Sequence, residues 1–198
     1  MSAAVGGRGG IERVTTLVIR ELRERGHHVE LLLFGPSRNS RWEETLAGAY
    51  VGPQSKHTRV TCRWLHILWW TFGMVRKFRP DVVIAMTPSA IIVSRLVKLF
   101  SWGRYKTWSW LHEAISQLQH TRRLGWADAH LAISSGVGKD IGKTIGRYDN
   151  VFVVYNPVVD APMKPRPGPK DDCHFVYIGR LDNEIKRVED ILRALSCI

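Results

Sequence analysis

The sequence predicts an α/β fold: a doubly wound parallel sheet in one large domain, followed by the opening of a second. Two observations predict it. Short apolar runs of strand length alternate with stretches of helical periodicity along most of the chain, and a cluster of prolines then divides this region from a fresh strand-like and helix-like pair.

The elements follow in order. Gly6-Gly7-Arg8-Gly9-Gly10 runs straight into a helical pattern in which Ile11, Val14, Leu17, Val18 and Leu22 recur on one face, and Gly26 stops it. Val29 to Phe34 is a compact apolar run closed by Gly35-Pro36, which predicts a strand. Pro36 to Thr58 is polar and irregular and predicts a loop or a partly ordered excursion, and a helix follows over roughly Cys62 to Phe78. Arg79-Pro80-Asp81 breaks that helix and launches the strand Val82–Met86, β-branched as in buried parallel sheets. Pro88-Ser89 turns into a helix over Ala90 to Phe100. Thr107–Leu111 is expected as a strand, Ser116–Leu124 as a helix and His130–Ile133 as a strand. Ser134-Ser135 caps a helix through Ile145, and Val151–Tyr155 is the last strand of the domain.

Composition then shifts. Pro157, Pro162, Pro165, Pro167 and Pro169 lie among Lys, Gly and Asp, the make-up of a stiff extended linker. The predicted division is 1–158 for the first domain, 159–172 for the linker and 173–198 for the start of the second, with a strand at His174–Ile178 and a helix at Arg187–Ile198. One strand and one helix bury no core. The glycine run also lacks a convincing strand before it, because Met1 to Val5 is a poor strand former. Truncation at both ends is therefore expected.

Composition bounds the function. The 198 residues are 44% hydrophobic and 24% charged, a make-up that supports a folded core. Lys and Arg outnumber Asp and Glu by 29 to 18, a formal net charge of +11, which favours an anionic partner: phosphate, an acidic membrane surface or nucleic acid. No nucleic-acid reader motif accompanies that charge. Cys62, Cys173 and Cys197 are odd in number and scattered, so neither a disulfide framework nor a zinc site is expected, and a reducing cytoplasm fits. Met1 to Gly10 has no signal-peptide core. Leu65–Val75 is too short to span a bilayer, but Trp69, Trp70 and Phe72 followed by Arg76 and Lys77 suit an anionic membrane surface as well as a buried helix with a charged end.

Four places carry candidate chemistry. A glycine run opening a helix lets backbone N–H groups approach a phosphate, which marks Gly9 and Gly10. His112 follows a predicted strand, and ligands of open α/β sheets bind beyond the carboxyl ends of strands. After Tyr177-Ile178-Gly179, Arg180 and Lys186 bracket a loop before a helix, two cations suited to a diphosphate. Gly142-Lys143-Thr144 mimics the end of a Walker A loop, but the spacing fails by one residue and helical periodicity runs through it.

Five stretches together resemble glycosyltransferase family 4: Gly9-Gly10-Ile11-Glu12-Arg13-Val14, Ser109-Trp110-Leu111-His112, Ala127 to Gly136, Val154-Tyr155-Asn156-Pro157-Val158, and Tyr177-Ile178-Gly179-Arg180-Leu181 with Lys186-Arg187. The bacterial lipopolysaccharide-core galactosyl- and glucosyltransferases are the nearest in pattern. The resemblance implies a GT-B architecture, two facing Rossmann-like domains with the acceptor on the first and the nucleotide sugar, a UDP-sugar, on the second. It implies that Gly9 and Gly10 lie near the donor phosphates, that His112 contacts the transferred sugar, and that Arg180 and Lys186 stabilise the departing diphosphate. It further implies transfer of a hexose with retention, no cofactor, no catalytic metal, and a lipopolysaccharide or other lipid-linked acceptor at the cytoplasmic face of the inner membrane. The family's paired-glutamate motif is not in this sequence, so the chain alone is expected to be inactive. A non-catalytic acceptor- or membrane-binding module is the alternative, and a basic nucleic-acid-binding domain a weaker one.

Overall fold

Alternating apolar and polar chemistry resolves into helices packed on parallel strands. The computed structural model describes residues 10–37, 42, 46, 48–52, 60–101, 105–158, 168, 175–179, 183 and 187–196. The described order is α1 (Gly10–Glu24), β1 (Leu31–Leu33), β2 (Ala49–Val51), α2 (Val60–Phe78), β3 (Val82–Ala85), α3 (Pro88–Ser101), β4 (Lys106–Leu111), 3₁₀ turns at Ile115–Gln117 and Thr121–Trp126, β5 (Ala129–Ala132), α4 (Ser135–Ile145), β6 (Val151–Val153) and α5 (Val188–Leu195).

The strands form two sheets. β3-β4-β5-β6 are consecutive and all parallel, while β1 and β2 pair parallel with each other in a separate ribbon. No described strand joins the ribbon to the larger sheet. Sequence reading expected a loop or a partly ordered excursion over Pro36–Thr58, without placing a strand in it. Instead Ala49–Val51 is a strand, held by its register against Leu31–Leu33 and by the Tyr50 ring packing on Phe78 at 5.2 Å. Tertiary pairing, not local propensity, makes that strand.

Two apolar clusters hold the larger sheet to its helices. Ala85, Ile91, Leu111, Ile115, Leu124, Ala127, Ala132 and Ile141 form one, and Ile67, Val75, Val93, Val97 and Tyr105 form the other. Val83 packs on the second and Ala85 belongs to the first, so both clusters lie on the same face of β3. Each fully buried Ile or Leu contributes about 1.5–3 kcal/mol. On the other face α1 reaches the carboxyl end of β3, where Thr15 Oγ1 donates to Met86 Sδ at 3.8 Å.

A polar clasp fixes the opposite, amino end of the strands. Asp128 Oδ2 accepts from the Thr107 backbone N–H at 2.7 Å and from Lys98 Nζ at 3.2 Å. Burial acts to raise the Asp128 carboxyl, but the Thr107 N–H, Lys98 and Arg95 outweigh it and hold it below the usual carboxylate range. Nearby, the Ser94 and Thr107 hydroxyls share a buried 2.8 Å hydrogen bond.

Helix ends follow the expected chemistry. Ser134 is extended and its Oγ accepts from the Val137 N–H at 3.2 Å, an N-cap on α4. Gly146 (φ +74) ends the same helix in the left-handed region open to glycine, its N–H donating to the Gly142 carbonyl. Ser134→Ala is expected to lower stability by about 1 kcal/mol, measured as a shift in urea midpoint. Gly142, Lys143 and Thr144 lie inside α4, with Thr144 Oγ1 bonded to the Asp140 carbonyl at 2.7 Å, so the Walker-like triplet is helix and not phosphate loop.

The expected helix at Ser116–Leu124 is replaced by the two 3₁₀ turns. His120 sits at φ +61 between them, a break that no continuous helix accommodates. The turns bury Ile115 and Leu124 in the first cluster.

The chain divides into units Met1–Val159 and Asp160–Ile198. In the second, the expected strand at His174–Ile178 is not formed over its described residues, 175–178. No strand is described within this unit to share its backbone hydrogen bonds. Its helix α5 buries no side chain.

Candidate active site at the carboxyl edge of the sheet

Parallel strands connected by helices place every strand's carboxyl end, and every following helix's N-terminus, at one edge. Here that edge collects the start of α1 through the Thr15–Met86 contact, the start of α3 just after β3, His112 just after β4, and the start of α4 just after β5. Pro88 occupies the first position of α3, and the Thr87 hydroxyl accepts from the Ala90 N–H at 3.2 Å. Helix N-termini present partial positive charge at this edge.

Gly10 is the first residue of α1, exposed and with open space around its Cα. A phosphate can approach the backbone there without steric hindrance. Gly9, Arg180 and Lys186 lie outside the described residues. Along α1 the buried positions are Glu12, Thr15 and Ile19, not the apolar set expected from periodicity, and Ile11 faces solvent. Glu12, 6% exposed in the first helical turn, is a functional candidate that sequence reasoning did not single out. An acid in the first turn after a glycine run was the available signal.

His112 is half-buried beside Trp110, ring centroids 4.5 Å apart and tilted by 58°. The two residues are separated by one along β4's line, so they share a face. Both His112 Nε2 and Trp110 Nε1 are buried and have no hydrogen-bond partner among the described residues. Burial pushes the His112 imidazole below its ordinary value and keeps it neutral at neutral pH. A neutral imidazole offers one donor and one acceptor nitrogen.

A second buried histidine lies on the opposite face of the sheet. His130 pairs in register with Ser109, and its Nδ1 is 2.7 Å from the Ser109 hydroxyl oxygen. Burial, with a contribution from Arg147, pushes its pKa down to about 4. Ser109 alternates with Trp110 along β4, so this pair points away from the carboxyl-edge site.

A parallel α/β unit with a neutral histidine and helix N-termini at the carboxyl edge is the class of domain whose ligand sites lie at that edge. Residues 8–161 match the family described as Glycosyltransferase Family 4, and the chain belongs to that family. It is 28% identical over 98% of its length to the lipopolysaccharide 1,6-galactosyltransferase of Escherichia coli (strain K12), and 27% identical over 98% to that of Salmonella typhimurium. The chain spans about half the length of these curated relatives, 54% and 55%. Among solved structures, the apo form of the lipopolysaccharide outer core galactosyltransferase WaaB superposes with a TM-score of 0.82 at 27% identity, over 97% of this chain and 55% of that one. Anabaena Alr3699/HepE in complex with UDP and glucose shares the fold, with a TM-score of 0.61 at 16% identity over 79% of this chain and 43% of that one. The GT-B fold class expected from sequence is therefore shown.

Proposed function

We propose that this chain supplies the acceptor-side domain of a retaining glycosyltransferase that moves a hexose from a UDP-sugar to a lipopolysaccharide or other lipid-linked acceptor. The observation that carries the reading is His112, a neutral histidine with an unpartnered buried nitrogen at the carboxyl edge, inside the span matched by the family. The named relatives are galactosyltransferases, and the HepE complex holds UDP and glucose, which supports a nucleotide-sugar donor. In transfer, the bond between the anomeric carbon and the diphosphate breaks, the diphosphate leaves with the electron pair, and an acceptor hydroxyl bonds to that carbon and loses its proton. His112 contacts the sugar, Gly9 and Gly10 border the donor phosphates, and Arg180 and Lys186 neutralise the leaving diphosphate, the type of charge stabilisation that dominates many enzymes.

The test is a graft. Residues 8–161 replace the matching span of the Escherichia coli galactosyltransferase, and radiolabelled sugar transfer to lipopolysaccharide is measured. A folded graft that transfers sugar supports the reading, and a folded graft without activity contradicts it.

The acceptor's setting is proposed to be an anionic membrane at the cytoplasmic face of the inner membrane. No described helix is long and apolar enough to cross a membrane. Along α2, however, Leu65 (64% exposed) and Trp69 (77% exposed) stand on one stripe with Phe72 and Arg76. Trp69 stacks on Phe72 at 5.8 Å, and the Arg76 guanidinium lies 5.7 Å above the Phe72 ring. Exposed aromatics beside cations are suited to the headgroup region. The chain is expected to float with anionic vesicles at low salt, and Leu65→Ser with Trp69→Ser to reduce the bound fraction on the order of tenfold. No flotation at low salt removes this part.

A further inference from the structure

The ribbon and the larger sheet are held by the same two helices, yet among the described strands they are not bonded to each other. On one face, Phe34, just after β1, and Val83 of β3 pack on the same apolar cluster, which takes Ile67 and Val75 from α2 and Val93 and Val97 from α3. On the other face, Thr15 of α1 touches Met86 at the carboxyl end of β3, and Arg23 near the end of α1 bonds the Val29 carbonyl just before β1. α1 therefore runs from the carboxyl end of β3 toward the amino end of β1, so β1 and β3 point the same way. A doubly wound sheet places its strands in the order third, second, first, fourth, fifth, sixth. β2 and β1 take the third and second positions, and β3, β4 and β5 the fourth to sixth. Among the described residues no strand stands in the first position, between the edges of β1 and β3. The side chains agree. Val14, Leu17, Val18 and Leu22 of α1 are only half-buried, and no α1 residue belongs to either apolar cluster. Val82 and Ile84, which share the Met86 face of β3, are 37% and 40% exposed, and Leu31 and Leu32 of β1 are half-buried.

We propose that the edges of β1 and β3 together bind one extended apolar segment of another polypeptide, added between them as a parallel strand. The proposal does not rest on the function proposed above and stands or falls separately. A strand is the fitting ligand because each edge carries a row of backbone N–H and C=O groups, and an extended backbone offers both kinds on both of its sides. The neighbours set its length, three residues in β1 and four in β3. The two covered faces set its chemistry. Alternate side chains meet α1, Val82 and Ile84 on one side and the cluster under Phe34 and Val83 on the other, so both faces call for bulky apolar residues, as in buried parallel sheets. The chain's own residues ahead of the glycine run are Ser2, Ala3, Ala4 and Val5, three of which carry side chains too small to cover that surface. A partner segment rich in Val, Ile or Leu covers it.

The test is amide hydrogen exchange of the full 198-residue chain with a synthetic peptide, an alternating Val-Ile run flanked by lysines for solubility, and with a control peptide carrying Pro at its centre. At saturation the Val-Ile peptide is expected to slow exchange on the order of tenfold at Leu31–Leu33 and at Val82–Ala85 together, and to leave Val151–Val153 at the far edge of the larger sheet unchanged. The Pro peptide, which lacks the central N–H and cannot complete the ladder, is expected to protect neither strand. Ile84→Lys, on the exposed face of β3, is expected to weaken the Val-Ile peptide about tenfold with circular dichroism unchanged. If that variant loses its native spectrum, the comparison of the two peptides on the unsubstituted chain decides alone. Protection of one strand without the other, protection at Val151–Val153, equal protection by the Pro peptide, or no protection at all overturns the proposal. So does protection of both strands without peptide: if deletion of residues 1–5 abolishes it, the chain's own segment is the occupant, and if it grows with protein concentration alongside dimer in sedimentation, a second copy is.

Discussion

His112→Ala in the grafted enzyme is expected to lower kcat by a factor of about a hundred or more, with a smaller change in KM. The imidazole stands one residue beyond β4, where the transferred sugar is proposed to sit, and it is neutral, so its contacts are hydrogen bonds and not ion pairs. Removing one preorganised polar contact to a group that develops charge costs about 2.7–4 kcal/mol in other acyl- and group-transfer sites. His112→Asn retains one donor and one acceptor and is expected to recover part of the rate. Steady-state kinetics with both substrates varied separates kcat from KM. Equal rates for unsubstituted and His112→Ala grafts contradict the assigned role.

Acid is expected to destabilise the Met1–Val159 unit through His130. Its folded pKa, about 4, lies below the ordinary value of 6.5. Between those two values the unfolded chain binds a proton that the folded chain refuses, so stability falls as pH falls through the window. Full stability is present above pH 6.5, and the loss approaches on the order of 3 kcal/mol near pH 4. His112 is depressed in the same direction and adds to the loss. Asp128 is depressed as a carboxylate, so its stabilisation disappears only at still lower pH, as the carboxyl takes up its proton. His130→Asn keeps a polar group toward the Ser109 hydroxyl but has nothing to titrate. Urea midpoints measured across the window are expected to fall steeply for the unsubstituted chain and shallowly for His130→Asn. Equal slopes contradict the assignment to His130.

Much of the fold was legible because its signals are local. Val82–Ala85 and Lys106–Leu111 are β-rich runs with breakers on both sides, and Ser134 announces α4 by a capping side chain. What failed depends on partners far along the chain. Ala49–Val51 is a strand because Leu31–Leu33 lies beside it, and Phe175–Ile178 has strand composition without a described neighbour. The site divides in the same way. His112 was legible from its position after a strand. Glu12 was marked only as an acid after a glycine run, and its burial, like the lack of a partner among the described residues for the Trp110 N–H, is a property of the packed chain. Gly9, Arg180 and Lys186 were marked by glycine and charge, and they lie outside the described residues.

The central claim is that ligand binds at the carboxyl edge of the β3-β4-β5-β6 sheet. Amide chemical-shift mapping of the grafted enzyme, residues 8–161 in the Escherichia coli galactosyltransferase, with UDP-galactose tests it most directly. Shifts concentrated at Gly10, Thr87, His112 and Ser134 are predicted. Shifts concentrated instead at the amino edge, around Asp81, Lys106 and Asp128, would contradict it.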